Sequence, residues 1–350
     1  MSKRLLWLVA ALVAVLALVA AGCGGDDEEG AGTTAAATEG GGTDTGAAGG
    51  EATKVCLVTD IGGLNDRGFN SLANQGLERA KSELGVETRV LESKSDADYI
   101  PNLSECAEQG YNLVISVGFL MGEATQKAAE EYPDVNFAIV DNAYEAPPSN
   151  LQGLLFKEQE VGYLVGYMAA LVSKTGTISS VGGQKIPPVD RFIAGYQKAA
   201  VDAKAGTKTL NGYSQDFVDQ AKCKEVALDQ IAKGSDVVFQ VAGGCGLGAL
   251  DAAKEKGVWG IGVDADQSFL GDHVLTSAQK KVDVAVFDTI QKQADGSFEG
   301  GGVTTYGLAE DGVGLGKISP KFTDQAILDK VDEQKQMIID GEIEIPETVG

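Results

Sequence analysis

The chain has 350 residues and a formal net charge of −23 at pH 7. Its length predicts more than one domain, and its acidity argues against nucleic acid or anionic lipid as a partner. Because the only histidine is His273, a histidine-based catalytic triad or a multi-histidine metal site is hard to build. We therefore expect no catalytic residue, metal or cofactor, and we place His273 in a loop.

Residues 1–22 read as a secretion signal. Lys3 and Arg4 precede an unbroken apolar run over residues 5–21, and small residues stand directly before Cys23. The run is near the length that spans a membrane, so an uncleaved anchor is the alternative. The small residues ending at a cysteine resemble the lipobox of bacterial lipoproteins, although Ala20 stands where that motif usually has Leu. We therefore predict that Cys23 is lipidated and becomes the first residue.

Residues 23–53 are predicted to be a disordered tether that begins at the lipidated cysteine. Residues 24–53 contain no Val, Ile, Leu, Phe, Tyr or Trp. Such a segment cannot bury enough apolar surface to offset its ordering entropy. A lipid at one end and a folded body at the other would place the body on the extracytoplasmic face of the cell membrane.

The folded part opens with a strand, a glycine-rich loop and a helix. Residues 55–58 form an apolar run typical of a strand buried on both faces. A loop over residues 61–68 leads to a helix that begins near Phe69 and Asn70. In open parallel sheets ligands bind beyond the carboxyl ends of the strands, where Asp60 falls. A plain turn with a capping aspartate is the alternative, and the loop has neither a GxGxxG nor a P-loop motif.

The same alternation continues and predicts a parallel sheet. We predict strands at 87–92, 113–117 and 136–140, and helices at 124–131 and at 97–108, the latter interrupted near Pro101. Strand ends then bring Asp60, Gly118 with Phe119, and Asp141 to one rim. We assign residues 54–155 to lobe 1.

A second sheet follows with the same architecture. Residues 154–156 look like a strand that crosses between lobes. We predict strands at 177–181, 208–213, 236–241 and 259–263, and helices at 161–173, 191–205, 218–232, 249–256 and 282–294. The segment 274–277 leads to Lys280, directly before the last of these helices. We assign residues 156–282 to lobe 2 and about 283–350 to the completion of lobe 1, with a charged helix over 322–341 packing onto lobe 1. The predicted fold class is α/β, with a ligand cleft between two facing parallel sheets.

Five blocks of the chain match one family in order. They are LVTDIGGLNDRGFN, FKEQEVGYLVGYMAAL, VFQVAGGCGLGALDAAKEKG, IGVDADQ and LTSAQKKVD. Over about residues 54–345 the chain resembles the basic membrane protein family, lipoprotein substrate-binding proteins of ABC importers that are similar to purine nucleoside receptors. The resemblance implies two Rossmann-like lobes of periplasmic binding protein type I, joined by three crossings and closing on the ligand by a hinge.

The resemblance also implies which aromatic side chains stack on the ligand. Phe69, in the same block as Asn70, resembles the aromatic that stacks on the base. Phe217 resembles its partner from lobe 2, and Phe192 is the alternative for that role. Two aromatics from opposite lobes can sandwich the faces of a purine. Ordinary core positions for Phe69 and Phe217 are the competing interpretation.

The polar ligand contacts are carried over in the same way. Asp60 and Asp141 resemble the carboxylates that accept hydrogen bonds from the base. Gly243, Asp264 and Lys280 resemble the residues that hold the ribose. Carboxylates accept from ring N–H groups or sugar hydroxyls, and a lysine donates to a ribose oxygen.

Four cysteines remain besides Cys23, and none has the CxxC spacing of a zinc site. We predict disulfides Cys56–Cys106 and Cys223–Cys245, because each pair stays within one lobe. Any other pairing would bridge the lobes and restrain the hinge. Four buried free thiols are the alternative.

We predict from these patterns a lipid-anchored, monomeric binding protein that captures a nucleoside, with a purine favoured, for an ABC permease. A binding protein for a sugar or another small polar solute is one alternative. A nucleoside-processing enzyme is another, but it would require an acidic metal-binding cluster or a base, and Asp264 with Asp266 supplies only two acids.

Overall fold

The structure, a computed structural model, describes residues 52–350. The predicted signal over residues 1–22, the predicted lipidation site Cys23 and nearly all of the predicted tether lie outside this range. Among the described residues, no helix combines the length and apolar character needed to cross a membrane.

Strands and helices alternate along the described chain. The strands are β1 (Lys54–Thr59), β2 (Glu87–Glu92), β3 (Leu113–Val117), β4 (Asn136–Val140), β5 (Leu151–Phe156), β6 (Thr177–Gly182), β7 (Lys208–Tyr213), β8 (Val237–Val241), β9 (Trp259–Asp264), β10 (Val274–Lys280), β11 (Val303–Tyr306) and β12 (Val313–Leu315). The helices are α1 (Phe69–Leu84), α2 (Tyr99–Glu108), α3 (Gly122–Glu131), α4 (Glu158–Val172), α5 (Pro187–Ala203), α6 (Gln220–Ala232), α7 (Gly246–Lys256), α8 (Val282–Ala294) and α9 (Gln325–Ile339).

The strands form two six-stranded sheets. Sheet 1 has the order β11-β5-β4-β3-β1-β2 and is parallel throughout. Sheet 2 has the order β12-β10-β9-β8-β6-β7, and only its edge strand β12 is antiparallel. The inner strands β3 and β8 are buried along their whole length, as their mostly apolar sequences favour. The predicted α/β class with two parallel sheets is confirmed.

We call sheet 1 with its flanking helices lobe 1, and sheet 2 with its helices lobe 2. The chain passes between the sheets three times: from β5 to α4, from β10 to α8 and from β11 to β12. In sheet 1 the strand order reverses between β1 and β3, and in sheet 2 between β6 and β8. Ligands of open α/β sheets bind at such points, beyond the carboxyl ends of the strands.

The end of the chain differs from the prediction. Residues 154–156 belong to β5 within sheet 1 and do not themselves cross between lobes. After α8 packs on α1 and β11 extends sheet 1, β12 returns to sheet 2. The helix α9 packs against α4 of lobe 2 rather than on lobe 1, and the Tyr163 hydroxyl reaches Gln334 there. Residues 283–350 therefore do not all complete lobe 1.

The predicted interruption near Pro101 is wrong. Helix α2 runs through Pro101 because this residue lies in the first turn. An N–H group there has no partner within the helix, so its absence in proline costs nothing.

Glycines allow α4 and α5 of lobe 2 to pack in backbone contact. A Cβ atom on Gly162 would lie 2.3 Å from the carbonyl oxygen of Phe192, and one on Gly166 would lie 2.4 Å from that of Tyr196. On the other side, a Cβ on Gly195 would lie 2.1 Å from the carbonyl oxygen of Gln159. This close approach fixes the start of α5, and with it Phe192, beside the cleft.

The part of the chain that the structure describes contains two disulfides. Cys56 of β1 pairs with Cys106 of α2 inside lobe 1, and Cys223 of α6 pairs with Cys245 inside lobe 2. All four cysteines are fully buried. Neither bridge joins the two lobes.

Candidate functional site

A cavity lies between the carboxyl ends of the two sheets. It is lined by the residues that the sequence assigned to the ligand: Asp60, Phe69, Asn70, Asp141, Phe217, Gly243, Asp264 and Lys280. The first four belong to lobe 1 and the last four to lobe 2. Phe192, the alternative to Phe217, lines the cavity as well. The structure thus brings all of these positions together, and both aromatic side chains of lobe 2, Phe192 and Phe217, line the cavity.

Asp66 organises the start of α1. Its carboxylate accepts hydrogen bonds from the backbone N–H groups of Gly68, Asn70 and Ser71 at 3.1, 2.6 and 3.1 Å. These are first-turn donors that have no partner within the helix. The carboxylate therefore holds the turn that presents Phe69 and Asn70 to the cavity.

Asp60 follows β1 and is held from two sides. Its Oδ1 accepts from the Asn70 side-chain amide and from the Gly62 N–H, both at 2.9 Å. Burial raises the pKa of Asp60 to about 6. Gly118, with φ 120°, lies against the other oxygen, and a Cβ there would come within 2.7 Å of Asp60 Oδ2. Glycine at 118 therefore leaves room for this carboxylate.

Asp141 and Asp264 occupy corresponding positions in the two lobes. Each lies at the end of a strand with positive φ, 71° and 61° respectively, a conformation that is uncommon outside glycine and clusters at functional sites. Burial raises the pKa of Asp264 to about 7, against the opposing effect of Lys280. Within residues 52–350 no group donates a hydrogen bond to the Asp264 carboxylate, so it is available to a ligand donor.

Lys280 ends β10 and is bound by carboxylates from both lobes. Its Nζ donates to Asp141 Oδ2 and Oδ1 at 2.7 and 2.9 Å and to Glu158 Oε1 at 3.1 Å. Burial alone would lower the pKa of Lys280, but these carboxylates outweigh it and raise that pKa above its usual value. The ammonium also lies 4.9 Å from the centroid of the Phe69 ring. From the resemblance we expect Lys280 to donate a hydrogen bond to a ribose. In this structure its N–H groups donate to the carboxylates of Asp141 and Glu158 instead.

Phe217 reaches the cavity from the loop between β7 and α6. Its carbonyl oxygen accepts from the Cys245 N–H at 2.9 Å, which ties this loop to the start of α7. A Cβ on Gly183 would lie 2.3 Å from the Phe217 ring, so only glycine leaves space for the ring there. The Phe217 loop is further fixed by Asp216, whose carboxylate accepts from Lys222 and from two backbone N–H groups, and these bonds lower the pKa of Asp216 to about 2.

Two charged residues next to the cavity were not predicted. Glu158 is fully buried, and its Oε2 accepts from Arg191 Nε at 2.6 Å. The predicted helix began at 161, so Glu158 was left in the preceding loop. No sequence signal distinguishes Glu158 from Glu160, the acid that stands directly before the apolar segment beginning at Val161. Nothing in the spacing indicates Arg191 or Lys280 as its partners.

The site resembles a binding cleft more than a metal centre. Among the described residues no cluster of three or more His, Cys, Asp or Glu side chains could hold a metal ion. The cavity is lined by aromatic rings from both lobes and by carboxylates at the strand ends.

Comparisons with known proteins place these features in context. A protein-family model described as ABC transporter substrate-binding protein PnrA-like (Bmp) matches residues 53–349. The chain is 37% identical over 315 residues to the ABC transporter nucleoside-binding protein BmpA of Lactococcus lactis subsp. cremoris, covering 84% of this chain and 89% of that protein. It is 36% identical over 280 residues to an uncharacterized lipoprotein, PH1714, of Pyrococcus horikoshii, covering 76% and 69%.

A solved structure shares the fold. The crystal structure of ABC transporter system solute-binding proteins from Aeropyrum pernix K1 is 30% identical and superposes with a TM-score of 0.78, covering 85% of this chain and 94% of that one.

Proposed function

Because this chain belongs to the PnrA-like (Bmp) family of ABC transporter substrate-binding proteins, we propose that it captures a nucleoside between its lobes and delivers it to an ABC permease. A purine nucleoside is the favoured ligand. The name of the Lactococcus lactis relative, a nucleoside-binding protein, supports this class of ligand.

The observation that carries the proposal is the composition of the cavity walls. Phe69 of lobe 1 and Phe217 or Phe192 of lobe 2 line the cavity and provide flat apolar surfaces from both lobes. Asp60 and Asp264 are buried carboxylates that can accept hydrogen bonds. A nucleoside matches both, since its base has two π faces and its N–H groups and ribose hydroxyls are donors. A sugar could donate hydrogen bonds to the carboxylates, but it has no planar base to stack on the aromatic rings.

Mass spectrometry of ligand released from the native, freshly purified protein tests this proposal. We expect a purine nucleoside in about equimolar amount with the protein. A sugar or another polar solute without a base would contradict it and would favour the alternative class of ligand.

We propose further that the protein does no chemistry on its ligand. Capture and release require only opening and closing of the lobes. Incubation with adenosine, followed by chromatography, should return adenosine alone. Protein-dependent appearance of adenine would support the alternative of a nucleoside-processing enzyme.

The proposed location is the extracytoplasmic face of the cell membrane, with the chain anchored by a lipid on Cys23. The sequence around Cys23 and the name of the Pyrococcus horikoshii relative, an uncharacterized lipoprotein, support this proposal. A Cys23→Ser variant expressed in the native host should be released from membranes. If the variant still fractionates with membranes after a salt wash, the apolar leader is an uncleaved anchor instead.

A further inference from the structure

We propose that Glu158 is a positioning residue: it holds Lys280 in lobe 2, so that closure of the lobes on a ligand can pair Lys280 with Asp141. This inference rests on the proposed capture of a ligand by closure. Glu158 does not line the cavity. Its two carboxylate oxygens bind Lys280 Nζ at 3.1 Å and Arg191 Nε at 2.6 Å, with no exposed surface.

Of the four charged residues in this network, three belong to lobe 2 and only Asp141 belongs to lobe 1. Lys280 ends β10, Arg191 lies in α5, and Glu158 is the first residue of α4, which packs on α5 and on sheet 2. Asp141 follows β4 of sheet 1. When the lobes separate, the Lys280–Asp141 bonds must break, whereas Glu158 and Arg191 move with Lys280. Glu158 is therefore the acid that stays bound to Lys280 in both states.

Without Glu158, neither Lys280 nor Arg191 would have a hydrogen-bonded acid on the lobe 2 side. The carboxylates that face Lys280 are Asp141, Glu158 and Asp264, and Asp264 makes no hydrogen bond to it. A buried charge that loses its partner is strongly unfavourable. The Lys280 side chain would then turn toward solvent or lose its proton, and either change weakens the charged hydrogen bonds to Asp141 that closure forms.

Calorimetric titration with adenosine tests this arrangement by a double-mutant cycle. We expect Glu158→Gln to weaken adenosine binding about tenfold in the wild-type background and less than about twofold in a Lys280→Met background, since residues that act through one another are not additive. Glu160→Gln is the matched control. It removes an acid from the same turn of α4, but Glu160 binds Lys157 and the Leu308 N–H and not Lys280.

Equal losses from Glu158→Gln in both backgrounds, or an equal loss from Glu160→Gln, would show that Glu158 acts only through the stability of the helix and would overturn the proposal. If the glutamine variant does not fold, Glu158→Asp takes its place. It keeps the charge but withdraws it by one methylene, and the same cycle should show a smaller loss that again depends on Lys280.

A second measurement needs no ligand and so separates this inference from the proposed function. Lysine amines of the ligand-free protein are acetylated competitively with acetic anhydride at neutral pH and quantified by peptide mass spectrometry, with exposed Lys127 as the internal reference. Lys280 should react faster in Glu158→Gln than in wild type, and at the wild-type rate in Glu160→Gln. An unchanged rate in Glu158→Gln would refute the positioning role, even if no nucleoside binds to the wild type.

Discussion

The ammonium of Lys280 lies 2.7 Å from Asp141 Oδ2 and joins the last residue of a lobe 2 strand to a carboxylate of lobe 1. A second bond across the cleft runs from the side-chain amide of Gln267 in lobe 2 to the carbonyl oxygen of Arg67 in lobe 1, at 3.3 Å. Both contacts require the lobes to be close together. The structure is therefore a closed arrangement, in which a ligand would be surrounded by both lobes.

The aromatic sandwich gives the first prediction. Phe69→Ala and Phe217→Ala should each weaken nucleoside binding by about 1–3 kcal/mol, the usual loss for a base–aromatic stack. Calorimetric titration measures it, with Phe322→Ala as the control because Phe322 is also half-buried but lies outside the cavity. Unchanged affinities in both cavity variants would show that these rings do not stack on the ligand. A large loss in Phe192→Ala instead would move the lobe 2 partner to Phe192.

Asp264 should distinguish a nucleoside from its free base. In Asp264→Asn we expect the affinity for adenosine to fall by roughly 1.5–3 kcal/mol, the contribution of a charged hydrogen bond, and the affinity for adenine to fall much less. Asp266→Asn is the control, because Asp266 accepts from the Ser268 N–H and does not line the cavity. Equal losses for adenosine and adenine would show that Asp264 does not bind the sugar.

The same substitution should change the pH dependence of stability. Burial raises the pKa of Asp264 from 3.8 to about 7, so between these values the folded protein keeps a proton that the unfolded chain has released. The free energy of unfolding therefore falls as the pH rises from about 4 to 7. Asparagine cannot ionise, so Asp264→Asn should stabilise the ligand-free protein at pH 8 by about 1–3 kcal/mol and by almost nothing at pH 4.

Urea unfolding of both proteins at several pH values between 4 and 8 measures this difference. A stabilisation that is the same at every pH would mean that Asp264 titrates alike in the folded and unfolded protein. A destabilisation at pH 8 would mean that the folded protein favours the ionised form.

The two disulfides should differ in their effect on binding. Each closes a loop, with a sequence separation of 50 for Cys56–Cys106 and 22 for Cys223–Cys245, and the loss of either should destabilise the protein by about 3–4 kcal/mol. Only Cys223–Cys245 lies beside the Phe217 loop, whose carbonyl oxygen accepts from the Cys245 N–H.

Accordingly, Cys223→Ser/Cys245→Ser should weaken adenosine binding by about threefold or more, because the loop must then be ordered on binding. Cys56→Ser/Cys106→Ser serves as the matched control and should leave the affinity nearly unchanged at a temperature where both variants are folded. A larger loss of adenosine affinity in Cys56→Ser/Cys106→Ser than in Cys223→Ser/Cys245→Ser would contradict the proposed role of the Phe217 loop.

The sequence predicts the strands from short apolar segments, and it predicts the site from the polar residues that directly follow those strands. The mostly apolar segments at 113–117 and 136–140 are strands with those bounds, and they are almost entirely buried. Once parallel strands are recognised, the residues that follow them must meet at one edge of each sheet, which is why Asp60, Asp141 and Asp264 line one cavity.

Features that depend on distant partners could not be predicted. Strands β11 and β12 are short edge strands with few apolar residues, and only their pairing with β5 and β10 identifies them. The partners of Glu158 lie far along the chain, so no local pattern indicates its burial. Whether the C-terminal helix packs on lobe 1 or on lobe 2 depends on the return of the chain at β12, and that return has no sequence signal.

The most direct test of the central claim is calorimetric titration of the wild-type protein, stripped of any co-purified ligand, with adenosine, guanosine, cytidine, ribose and galactose in turn. We predict tight binding of the purine nucleosides, weaker binding of cytidine because its smaller base offers less surface to Phe69 and Phe217, and no measurable binding of ribose or galactose. Binding of ribose or galactose with no response to any nucleoside would contradict the proposal that this cleft captures nucleosides.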